Sequence, residues 1–229
     1  MDYNTLFSQV QAYTENQFPA TYLANGSTVS YTTQINTFIQ QAEARIYNTV
    51  QIPSLRKNVT GNCSSTTVYL GCPNDYLSTY SMAVIGADGA YTYLLNKDVN
   101  FIRESYPDPT ATGLPRYYAL FGSRLNDPNE LAFMLGPKPD ANYGVELHYF
   151  YYPTSIVDAG TSWLGDNYSP ALLYGSLVEA YSYMKGEPDL LAMYNTKYQE
   201  AMQQLNRLGT GLERGDAYRD GQAKIKVNP

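Results

Sequence analysis

The sequence predicts an α+β protein. Helices from both chain ends form one bundle, an antiparallel β domain is inserted between them, and an extended tail closes the chain. Three observations predict this. Apolar residues recur at three- and four-residue spacing before residue 50 and again after residue 163. Between them lie short segments rich in Val, Thr and Tyr, punctuated by Gly, Pro, Asn and Asp. Residues 209–229 hold four glycines and few apolar groups, too little to fold alone. The expected divisions are 1–55 and 156–208 for the bundle, 56–155 for the β domain and 209–229 for the tail.

Residues 2–17 read as a helix capped by Asp2, with Leu6, Val10, Tyr13 and Gln17 on one side. Pro19 ends it, and 19–30 reads as a loop turning at Asn25-Gly26. A stronger helix follows, with Tyr31, Ile35, Phe38, Ile39, Ala42, Ile46 and Val50 on one face and Thr32 or Thr33 as its cap. Pro53 closes it.

The period then changes. Strands are expected near 57–62, 66–71, 80–86, 90–95, 115–122, 130–135 and 143–152, with one helical interruption at 97–105. In the last strand Val145, Leu147, Tyr149 and Tyr151 alternate with Glu146, His148, Phe150 and Tyr152, and the even face is expected nearer water. Sandwich and barrel both fit this pattern.

Ser169-Pro170 reads as a helix cap followed by proline at the first helical position. Residues 170–185 are apolar nearly all round, so this helix is central, and Ala171, Gly175 and Ser182 leave a small side for close approach. Gly186 is the expected stop. In 188–208 the residues Leu191, Tyr194, Tyr198, Ala201, Leu205 and Leu208 form a seam for another helix.

The chain has 229 residues and a formal charge of −6. Only 16% of residues are charged, against about 25% in ordinary soluble domains, and 24 are Tyr. An acidic chain with few cations is a poor general binder of nucleic acid or anionic membrane. Low charge with much Tyr suits surfaces that become interfaces, because Tyr buries area at low entropy cost. The N-terminus lacks the pattern of a signal peptide, and no apolar run reaches membrane-spanning length.

The single histidine, His148, argues against His-rich metal sites and Ser-His-Asp catalysis. No phosphate-binding loop, dinucleotide fingerprint or nucleophile elbow is present. No catalytic, cofactor-binding or metal-binding residue is assigned. Were the chain a hydrolase, Glu104, Glu146 and Glu179 would be its acids. Glu179 is expected instead as a buried, hydrogen-bonded carboxylate, and Glu43 and Arg45 lie on different helix faces. Cys63 and Cys72, placed on a hairpin turning at 64–67, would sit apart as free thiols. Tyr91 and Tyr93 are expected to pack across strands, and Trp163 to plug the core locally. Tyr149, Tyr151 and Tyr152 support the alternative function, a carbohydrate-binding or tail-fibre-type module.

Several stretches, in this order, resemble a known family: TTQINTFIQQAEARIYNTV and IPSLRKNVT; VYLGCPNDYL, FIRESYP, TGLPRYYAL and YGVELHYFYYP; then SWLGDNYSPALLYGSLVEAYSYMKGEPDLLAMYNTKYQEAMQQL. Together, over about residues 31–206, they resemble the head-to-tail adaptor proteins of short-tailed bacteriophages, the family typified by the adaptor of phage SU10. The resemblance implies a structural virion protein at the head-tail junction, assembled in the bacterial host cytoplasm and without enzymatic activity or cofactor. It implies a homo-oligomeric ring of twelve copies, joining the portal to the tail nozzle or tube and forming part of the DNA channel. Tail fibres are a further partner it implies; specific nucleic-acid binding and membrane contact are not. The C-terminal segment is expected to dock on the portal through Arg214, Tyr218, Arg219, Lys224, Ile225 and Lys226.

Overall fold

The computed structural model describes residues 1–16, 18, 21–22, 28–50, 52–122 and 131–213. They form two compact units, one from residues 1–54 with the chain from Pro153 onward, the other from residues 55–152.

The first unit opens with α1 (Tyr3–Thr14), where the Asp2 carboxylate accepts from the Thr5 amide at 2.9 Å and caps the helix. Leu6, Val10 and Thr14 are buried, whereas Tyr13 faces solvent. The helical period carries the inner face from 10 to 14, and the Thr14 hydroxyl donates to the Val10 carbonyl. The expected loop at 19–30 contains a small antiparallel pair, β1 (Thr21–Tyr22) and β2 (Thr28–Val29). Gln17 and the Asn25-Gly26 turn lie outside the described residues. Helix α2 (Tyr31–Thr49) is capped by Ser30 rather than Thr32 or Thr33, because Ser30 has extended backbone and its hydroxyl accepts from the Thr33 amide. Ile35, Phe38, Ile39, Ala42 and Ile46 are buried; Tyr31, in the first turn, is not.

The second unit runs β3 (Arg56–Cys63), β4 (Tyr69–Gly71), β5 (Tyr76–Ile85), β6 (Tyr91–Tyr93), β7 (Leu95–Asn96), α3 (Val99–Ser105), β8 (Tyr117–Phe121), β9 (Ala132–Gly136) and β10 (Tyr143–Tyr151). One sheet has the order β3-β10-β5-β6 and the other β4-β9-β8-β7. All pairings are antiparallel except β7 with β8, which run parallel. The chain between them holds α3, the crossover that a parallel pair requires. Met82, Val84, Val145, Leu147 and Tyr149 of one sheet share a core with Tyr118, Phe133 and Leu135 of the other. The β unit is therefore a sandwich.

Glu146 and His148 lie on the outer side of β10, as the alternation predicts. Phe150 differs, because it is buried. Pairing with β5 is irregular on both sides of it, and the Tyr80 ring and the Arg56 guanidinium cover it. Cys63 and Cys72 are buried thiols that form no disulfide, as expected. The expected hairpin between them does not form, since β3 pairs with β10 and β4 with β9. Helix α3 presses Ile102 onto Ala119 and Met134. A Cβ at Gly136 would meet Ile102 Cγ2 at 2.7 Å, so that approach needs glycine.

The chain returns to the first unit with α4 (Ile156–Ala159), α5 (Trp163–Asn167), α6 (Ser169–Met184) and α7 (Pro188–Glu213). The plug at α5 is Leu164, fully buried, rather than the half-buried Trp163. Ser169 lies inside α6 and Tyr168 takes the cap position, with no side-chain cap and Pro170 in the first turn. Helix α6 packs against α1, α2, α5 and α7 and buries Ala171, Leu172, Gly175, Leu177 and Ala180. Gly175 sits where a Cβ would meet the Ala42 Cβ at 3.1 Å and the Tyr198 ring at 3.2 Å. Lys185, at φ 54°, adopts the left-handed stop expected of Gly186. Gly186 is held to glycine by the Tyr181 ring, 2.6 Å from where its Cβ would lie.

Helix α7 continues to Glu213, past the expected end at 208. Its seam buries Tyr194, Tyr198, Ala201, Met202 and Leu205, then steps to Gly209 and leaves Leu208 exposed. A straight helix drifts from a seven-residue repeat in this way.

Candidate functional site

Arg214, Tyr218, Arg219, Lys224, Ile225 and Lys226, expected to meet the portal, lie outside the described residues. The described residues offer two kinds of feature, polar nodes that hold the fold and aromatic surfaces that face outward.

The first node is Glu43. Its carboxylate accepts from the Ser155 hydroxyl at 2.6 Å and the Ile156 amide at 2.9 Å, tying α2 to the start of α4. Burial raises its pKa, although both hydrogen bonds favour the ionised form. Arg45, on another face of α2, pairs with Glu179 of α6. Its guanidinium also lies 5.9 Å from the centre of the Tyr198 ring. Glu179 is the hydrogen-bonded, mostly buried carboxylate that the sequence predicts.

The second unit has its own node at Asp75. Its carboxylate accepts from Lys57 Nζ at 2.6 Å and the Tyr149 hydroxyl at 2.7 Å. Burial alone would raise the Asp75 pKa, but these two donors hold it below the usual value. Burial and Asp75 push Tyr149 up to about 12. Lys57 Nζ also sits 4.0 Å over the Tyr151 ring. The proposed sugar platform therefore does not form, since Tyr149 is buried and the Tyr151 face is taken by Lys57. Tyr152 alone of the three is exposed.

The outer face of the sheet containing β10 is aromatic. Arg56 lies 3.9 Å from the Tyr80 ring centre and 4.9 Å from that of Phe150. Tyr80, Tyr91 and Tyr93 are 54%, 52% and 70% exposed. Tyr91 and Tyr93 oppose Ile85 and Ala83 in register; both rings are largely exposed, while the Tyr91 side chain also reaches Glu146 on β10. Next to them Glu146 accepts from Asn58 Nδ2 at 2.8 Å and lies 3.0 Å from His148 Nε2. His148, Asn58 and Tyr91 favour the Glu146 carboxylate and lower its pKa.

Glu146 and Glu179 thus have structural partners, and Glu104 is exposed on α3. Among the described residues no group of three His, Cys, Asp or Glu side chains could hold a metal ion. No described helix is long and apolar enough to cross a membrane. Sequence reasoning missed the Asp75 and Glu43 nodes. Both join residues distant in sequence, and no local spacing signals such a contact.

The described residues thus combine a helical unit, a sandwich and an aromatic outer sheet face. The family model of the SU10 adaptor protein matches residues 1–223. The chain belongs to that family, the structural adaptors of bacteriophage, and is a virion component. The match takes in the first 30 residues and most of the C-terminal segment, beyond the 31–206 over which the resemblance was legible. No curated protein matches the chain.

Proposed function

We propose that this adaptor forms a ring at the head-tail junction, joining the portal to the tail nozzle or tube and lining part of the DNA channel. The observation that carries the reading is the family match over residues 1–223. The surfaces support it. A ring needs a heterologous interface, with two different patches on every copy. Tyr80, Tyr91 and Tyr93 expose aromatic area on one sheet face of the β unit, and Tyr13, Tyr31 and Tyr183 are exposed separately on α1, α2 and α6 of the helical unit. Twelve copies is the number the family resemblance implies, with tail fibres as a further partner. Assembly takes place in the host cytoplasm.

The portal contact is assigned to the C-terminal segment, through Arg214, Tyr218, Arg219, Lys224, Ile225 and Lys226. A segment that orders on docking gives reach at an entropic cost. An acidic ring repels DNA from its wall, which eases passage and needs no specific nucleic-acid contact.

Light scattering on the protein mixed with its portal, followed by imaging of the complex, tests the reading. A ring seated under the portal is the expected result. An adaptor that stays monomeric and never binds portal overturns it.

A further inference from the structure

Beneath α3 the β unit holds a cavity of about 320 Å³ that the connector reading does not use. Its floor is apolar, made by Ile102, Tyr106 and Met134. The charged groups lining it are Arg103, Lys138 and Asp108. Asp108 is engaged locally, accepting from the Thr110 amide at 2.8 Å and the Thr110 hydroxyl at 2.6 Å. Arg103 and Lys138 form no ion pair among the described residues, although acids outnumber cations 21 to 15 in the chain. The Arg103 guanidinium lies 5.8 Å from the centre of the Phe121 ring, a contact that leaves its donors available.

We propose that this cavity is a docking site for an acidic peptide segment of a partner protein. Arg103 and Lys138 outnumber Asp108, so the lining is net positive beside an apolar floor and matches a segment with a carboxylate next to a large apolar side chain. The carboxylate is held between Arg103 and Lys138, by charge-assisted hydrogen bonds stronger than neutral ones. The apolar neighbour covers Ile102, Tyr106 and Met134. Inorganic anions satisfy the cations but leave the floor wet, so the site discriminates for a peptide. The proposal is independent of ring formation: a ring without this site, or this site without a ring, are separate outcomes.

The test titrates the full chain with the acetylated, amidated peptide Gly-Leu-Asp-Phe-Asp-Gly, followed by NMR and calorimetry. The control peptide carries Asn for both Asp. The expected result is saturable binding with shifts on α3 and β9, and at least about tenfold weaker binding of the control. Arg103→Gln and Lys138→Gln each weaken the acidic peptide about fivefold or more while leaving the melting temperature unchanged. Arg103 is exposed and Lys138 half-buried, and neither is in an ion pair among the described residues, so these variants fold. Three results overturn the proposal: equal affinity for the two peptides, no loss in the double Gln variant, or no saturable binding. Displacement of the peptide by an equal concentration of inorganic phosphate also overturns it, since the floor would then contribute nothing.

Discussion

Glu43→Ala removes the acceptor that joins α2 to α4. The Ser155 hydroxyl and the Ile156 amide lose their partner in a site where Glu43 and Ile156 are both buried. Each buried donor left unsatisfied costs about 1–3 kcal/mol. Part of that is offset, because the variant no longer buries a carboxylate. The net loss expected is about 3 kcal/mol, which lowers the melting temperature of a chain this size by about 6–12 °C. Glu43→Gln keeps an acceptor for Ile156 and costs about 1 kcal/mol or less near pH 7. The two variants differ in pH dependence. Burial raises the native pKa of Glu43 above its ordinary 4.5, so folding binds a proton more tightly there. The stability from this group is complete below 4.5 and is lost as pH rises through the raised native value. The wild type therefore gains on Glu43→Gln as pH falls from about 7 to about 4.5. Urea unfolding followed by far-UV circular dichroism at both pH values measures this. Glu43→Ala within about 0.5 kcal/mol of wild type, or a pH trend of opposite sign, refutes the reasoning.

Gly175→Val drives two methyl groups toward Ala42 and Tyr198, where even a Cβ would lie 3.1 and 3.2 Å away; a loss of about 2–3 kcal/mol in a thermal melt is expected. Tyr149 and Tyr194 are both held neutral up to about 12, Tyr149 by burial and Asp75, Tyr194 by burial and the Tyr181 hydroxyl. Their stabilisation is present below about 10 and is lost as pH rises toward 12. Absorbance titration should show late-ionising tyrosines, one fewer in Tyr149→Phe. Deleting residues 214–229 leaves α7 whole and should not move the melting temperature. The truncated protein should fail to bind portal in a pull-down, and binding at the wild-type level would remove the assignment of that segment.

The alternation of helical and strand periods carries most of the fold, and the points where it misleads have physical causes. At Thr14 and Gly209 the true 3.6-residue period displaces the buried position by one from the expected Tyr13 and Leu208. At Phe150 an irregular pairing with β5 and the cover from Arg56 and Tyr80 override a clean alternation. At Ser30 the cap is chosen by backbone conformation, which neighbouring threonines match equally well in composition. The parallel β7–β8 pair is the largest departure. Strand segments show where strands are, while pairing is decided by the crossover through α3 and by the fit of Ile102 over Gly136.

Tyr content is the feature most open to misreading at the level of function. Tyr47, Tyr118, Tyr149, Tyr181, Tyr194 and Tyr198 are core residues. Each brings aromatic bulk inside, and Tyr149 and Tyr181 place their hydroxyls on Asp75 and the Tyr13 carbonyl. A charge-poor, Tyr-rich composition is thus partly an account of the interior. The interface argument rests only on the exposed set, chiefly Tyr80, Tyr91 and Tyr93 on one sheet face, with Glu146 and His148 as their polar neighbours. That face differs from the cavity under α3 in the feature that governs partner choice. The face offers flat aromatic area whose nearest charges are mutually satisfied, which suits another folded surface. The cavity offers two cations, in no ion pair among the described residues, over an apolar floor, which suits a side chain that enters it. A protein that must hold several partners at once needs such surfaces to be unlike, so that no partner competes for the site of another.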